Sequence, residues 1–71
     1  MTPHEAAKIY IDLVQLEESL PPDELHARQE ISALRSKYHD LFSDELRRAG
    51  IPFADRFDAT RKAYSLAEDS Q

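Results

Sequence analysis

Three histidines, His4, His26 and His39, are the side chains best placed for acid–base or metal chemistry near neutral pH. No two of them stand four residues apart, the spacing that sets a metal-binding pair on one helical face. His26 has Glu30 four residues on and His39 has Asp40 beside it, but neither set reaches three protein ligands. Histidines facing solvent or half-buried beside acids are the expectation, and no metal or cofactor is expected. Thr60 and the serines lack a base at a recognisable spacing, although a triad assembled from distant positions leaves no such mark. Cysteine is absent, which removes thiolate ligands, thiol nucleophiles and disulfides together. The chain therefore reads as non-enzymatic.

Two charged clusters suggest binding instead. Glu17, Glu18, Asp23 and Glu24 gather around a Pro-Pro turn. There they offer an acidic knob to a basic partner or a weak divalent site. The calcium-loop pattern is missing, so a solvated surface is expected. Arg47, Arg48, Arg56, Arg61 and Lys62 surround a second, glycine-containing turn. That arrangement invites a helix-turn-helix reading, with the last helix in a groove of DNA. Asp55 and Asp58 on the same short segment argue against it, as do the net charge of -5 and an overlong preceding helix. The opposite idea, an acidic mimic of DNA, needs a denser field of carboxylates.

The elements that position these residues are helical. The first has Thr2 to cap, Pro3 at the first helical position and Glu5 at the third, a capping box. Ala6, Ile9, Leu13, Leu16 and Leu20 form its stripe, and Tyr10 and Val14 widen it enough to touch two neighbours. Pro21 and Pro22 end it near Ser19. Pro22, Asp23 and Glu24 then suit a new helical start, and the pattern runs unbroken to Ala49. Its seam is Ala27, Ile31, Leu34, Tyr38 and Leu41, flanked by Leu25, Phe42, Leu46 and Ala49. At 1.5 Å per residue it would span about 42 Å. Gly50 fits a Schellman ending with Ile51 folding back on Leu46, and Pro52 blocks continuation. Ser43 followed by two acids could cap a fresh helix, but the apolar spacing does not slip there, so continuity is expected. A third helix is expected at about 54–68 with Phe53, Phe57, Thr60, Tyr64 and Ala67 in line, and fraying at 69–71. Acid-first pairs at the favourable spacing are Glu24–Arg28, Asp44–Arg48 and Asp58–Lys62.

Seventy-one residues allow one domain whose core is marginal without staples. Short connections make neighbouring helices reverse. The expected fold is all-α, three helices running up, down and up around the long second helix, at about 3–19, 22–49 and 54–68. The outer helices then overlap only near Leu34 to Leu41, so a protein partner or a second copy is the natural cover. Leu25, Ala27, Tyr38, Phe42, Leu46, Phe53 and Phe57 are the expected contact residues. The aromatics are otherwise core, with tyrosine hydroxyls kept near water. No run reaches 18 apolar residues and no leader pattern opens the chain, so neither membrane nor export is expected, and a cytoplasmic protein is the default. An adaptor, regulator or inhibitor working through protein contacts, possible as a homodimer, is the function expected.

Overall fold

The computed structural model describes residues 1–69, and these form three helices with no strand among them. Helix α1 is Pro3–Ser19, α2 is Leu25–Arg48 and α3 is Arg56–Asp69.

Local chemistry accounts for each boundary. The Thr2 hydroxyl accepts from the Glu5 N–H at 3.2 Å, and Pro3 occupies the first turn of α1. α2 opens at Leu25 rather than at Pro22. The reason is a tight turn, closed by the Glu24 N–H on the Pro21 carbonyl at 3.1 Å. Pro22 suits the second position of such a turn, and Glu24 is left outside helical geometry, at φ -84° and ψ 62°. Its side chain makes no capping bond. α2 then passes Ser43 without a break. The Ser43 hydroxyl donates to the His39 carbonyl one turn back, at 3.0 Å, rather than capping a new helix.

The end of α2 is a Schellman motif as expected. Ile51 N–H reaches the Leu46 carbonyl at 2.9 Å and Gly50 N–H the Arg47 carbonyl at 3.2 Å. Gly50 sits at φ +73°. α3 starts at Arg56, later than expected, because Asp55 is its cap: the carboxylate accepts from the Asp58 N–H at 2.9 Å. Asp69 is still helical, so fraying does not begin there, and the expectation for 70–71 lies outside the described residues.

The packing reverses the expected roles. α1, not the longer α2, is the helix in the middle: it packs extensively on both others, while α2 and α3 scarcely touch. The buried core is Ala6, Ala7, Tyr10, Ile11 and Val14 from α1, Phe42 and Leu46 from α2, and Ala59 and Ala63 from α3. Tyr38, Ile51, Phe53, Leu66 and Ala67 pack on its margin. Serving two neighbours turns α1 toward its Tyr10–Val14 side, leaving Ile9, Leu13 and Leu20 half-buried and Leu16 exposed. Arg28 Nη1 donates to the Leu20 carbonyl at 3.4 Å, Arg35 meets Glu17 at 3.3 Å, and His39 meets the Tyr10 ring. Reading α1 backward therefore reads α2 forward.

A methyl group at Gly50 would meet no atom within 4 Å, so its cost is that of the left-handed backbone alone. Gly50→Ala should destabilise the fold by about 1 kcal/mol, with Gly50→Asn less harmful. Urea unfolding midpoints of the three proteins check this.

Candidate functional site

The residues expected at a contact surface divide sharply. Phe42 and Leu46 are wholly buried within the chain, which removes them from any surface. They are the anchors by which α2 holds α1, because α1 covers this end of α2 more fully than expected. Tyr38 and Ala27 are half-buried on the shoulder of α2. Leu25 is exposed, and Phe57 is the most open large apolar side chain, at 82%. Phe53 lies half-buried under Arg47, whose guanidinium carbon is 5.2 Å from the ring centre. Phe42, Phe53 and Phe57 thus form no single cluster.

Three exposed leucines mark a different surface. Leu16 of α1 and Leu34 and Leu41 of α2 are 45%, 42% and 37% exposed. The register set by the Glu17–Arg35 and Tyr10–His39 contacts places Leu16 across from Leu34 and Ile9 across from Leu41. The helical period turns all four to one side of the α1–α2 layer. Ile31 and Tyr38, half-buried, fill the strip between. Leu34 and Leu41 lay in the α2 seam read from sequence. Leu16 did not signal its exposure, since its stripe looked like core.

The basic cluster is largely neutralised in place. Arg47 pairs with Asp44 at 3.0 Å and Arg48 with Glu45 at 2.9 Å, a register one residue tighter than the expected Asp44–Arg48 pair. Arg28 turns to the Leu20 carbonyl, not to Glu24, because Glu24 is outside the helix. Arg61 and Lys62 both reach Asp58, at 3.3 and 3.4 Å. Among the described residues only Arg56 of this cluster makes no ion pair. Of the acids at the first turn, Glu17 is held by Arg35, and Glu18, Asp23 and Glu24 stay exposed.

Asp58 is the electrostatic centre of the second turn. Its Oδ2, which Lys62 also reaches, accepts from the Ala54 N–H at 2.8 Å, and the Asp55 carboxylate accepts from the Asp58 N–H, so the two acids hold the turn together. That backbone bond, above all, holds the Asp58 carboxyl below its ordinary value of 3.8, with Lys62 and Arg61 adding to it. An acid at 55 with another three residues on was a readable cap signal that the apolar pattern overshadowed.

His39 is buried, and neither ring nitrogen has a hydrogen-bond partner. Asp40 is 3.8 Å from Nδ1, too far for a hydrogen bond. The ring packs edge-on against Tyr10, centres 5.4 Å apart. His26 lies in the open, 3.1 Å from Glu30. No three His, Asp or Glu side chains among the described residues are grouped to hold a metal ion. No helix among them is long and apolar enough to cross a membrane. Comparison with protein-family models, with curated proteins and with solved structures found no match in any of the three.

Two outcomes are expected here. His39→Phe keeps the edge-on packing and removes two unsatisfied nitrogens, so it should stabilise the fold by on the order of 1 kcal/mol in thermal or urea melts. For Asp58, a lowered folded value means folding favours the ionised form. Its contribution is complete above the ordinary carboxylate range and fades as pH falls through the lowered value. Asp58→Asn should melt below wild type at neutral pH, with the gap closing as the solution is acidified below 3.8; parallel melts across pH measure it.

Proposed function

We propose that the chain is a non-enzymatic helical module, an adaptor, regulator or inhibitor, that works through protein contacts on the outer side of its α1–α2 layer. The observation carrying this reading is the row of exposed Leu16, Leu34 and Leu41 with half-buried Ile9, Ile31 and Tyr38 between them. Apolar side chains gathered on one side of a small protein mark an interaction surface more often than scattered ones do. The bundle is read as up, down and up in order of the chain, with the Gly-Ile-Pro connection returning α3 along α1, and with the cytoplasm as its place of action.

A role for α3 in a nucleic-acid groove draws less support. Four of its five candidate bases, Arg47, Arg48, Arg61 and Lys62, already pair with carboxylates. A phosphate backbone would have to compete with each of these pairs.

A photo-crosslinking residue at position 34 tests the reading in the native cell. It should yield protein adducts that disappear when Leu16 and Leu41 are changed to glutamate. An absence of protein adducts, or adducts indifferent to those changes, would overturn it.

A further inference from the structure

We infer that the partner on this surface is a second copy of the chain, packed two-fold with α2 antiparallel to α2 and Leu34 near the axis. The inference rests on reading the outer α1–α2 side as a protein contact surface and goes further by naming its occupant.

The first ground is the pattern of α2. Ala27, Ile31, Leu34, Tyr38 and Leu41 alternate steps of four and three, the spacing of a strict two-helix seam. Contacts within the chain centre on a neighbouring side of α2, the one bearing Arg28, Arg35, His39, Phe42 and Leu46, with Tyr38 at the boundary packing on the core margin. The helix therefore carries two adjoining faces; the chain buries one fully and leaves the other half-covered, with Leu34 and Leu41 exposed. The free seam is also its own complement. Turned antiparallel about Leu34, it sets Ala27 against the partner's Leu41 and Leu34 against the partner's Leu34, with Ile31 within one residue of the level of the partner's Tyr38. A small residue meets a large one at each end, and every contact away from the axis occurs twice, as an isologous interface requires. Tyr38 lies at the edge of the seam and keeps its hydroxyl near water.

The second ground is charge. Glu30 and Lys37 fall on the solvent side of the same seam, four residues before and three residues after Leu34. The antiparallel arrangement brings Glu30 beside the partner's Lys37 and repeats that pair across the axis. Within one chain Lys37 has no carboxylate partner among the described residues, and Glu30 has only the exposed His26. A parallel two-fold arrangement would put these flanks on opposite sides of the interface and make no such pair. An anionic membrane surface is a poor alternative, because the net charge is -5 and Glu30 lies on the rim.

Sedimentation over a concentration series should show a monomer–dimer equilibrium. Leu34→Glu should weaken it by roughly a hundredfold while circular dichroism shows unchanged helix content, since Leu34 is exposed in one chain. Glu30→Lys or Lys37→Glu alone should weaken it about tenfold, and the double exchange should restore it. A strictly monomeric wild type overturns the inference. If such a monomer still gives adducts from position 34 with a different protein, the contact surface stands and its occupant is not a second copy. If it gives none, both readings fail. A dimer indifferent to Leu34→Glu, or a charge exchange without recovery, overturns this packing.

Discussion

Everything in this fold follows from a 17-residue helix having to face two others at once. α1 manages it with small side chains where the neighbours come closest. Ala6 and Ala7 on α1 and Ala59 and Ala63 on α3 are wholly buried, and alanine lets helix axes approach at the short end of the usual 8–10 Å. Phe42 and Leu46 of α2 supply the volume that the alanines do not. With α1 between them, α2 and α3 have little left to share, so they splay and meet only where the second turn folds over. Arg47 stacked on Phe53 and the Asp55–Asp58 cap hold that turn.

Polar contacts between helices then set register more than they add stability. The Arg35–Glu17 pair is only partly exposed, and one oxygen of Glu17 is buried with no other partner. A slip of α2 along α1 would leave that oxygen unsatisfied, which penalises wrong registers more than the pair stabilises the right one. The Tyr10 hydroxyl lies 3.4 Å from that of Thr60, while its ring meets His39. One side chain thus sits at the junction of all three helices. His39 is the weak element of this arrangement, since its shape is used and its nitrogens are not.

What could be read from sequence was local. Thr2–Pro3–Glu5, Gly50–Ile51–Pro52 and the unbroken spacing past Ser43 each involve neighbours within one turn; the structure has the last two, and of the first it has the Thr2 cap and Pro3 but not the return bond from Glu5. The Pro21–Glu24 turn was misread because proline and acids suit a helix start and a tight turn alike. The larger error, taking α2 as the spine, has a physical cause. Apolar periodicity reports how wide a stripe is, not which neighbour covers it, and length is no measure of centrality. The stripe of α1, widened by Tyr10 and Val14, was the better clue. The same limit explains the site: Phe42 and Leu46 look no different in sequence from Leu34 and Leu41, and only the side of α2 that α1 covers separates buried from open.

The side left uncovered also explains why α2, and not α1, should lie at the centre of any symmetric pairing. On the outer margin of α1 the residues in line are Glu5, Ile9, Asp12 and Leu16, apolar side chains interleaved with acids. Two such margins brought together would oppose like charges in a helix that already carries an excess of three acids, and each opposition costs what an ion pair of that spacing would contribute. The margin of α2 has its acid and base on either side of Leu34, within an apolar seam. Antiparallel symmetry turns that separation into attraction, and a shifted register loses it. In such a pair the acids of α1 would line the outside, where they would stay hydrated and discourage a third copy from adding to the layer.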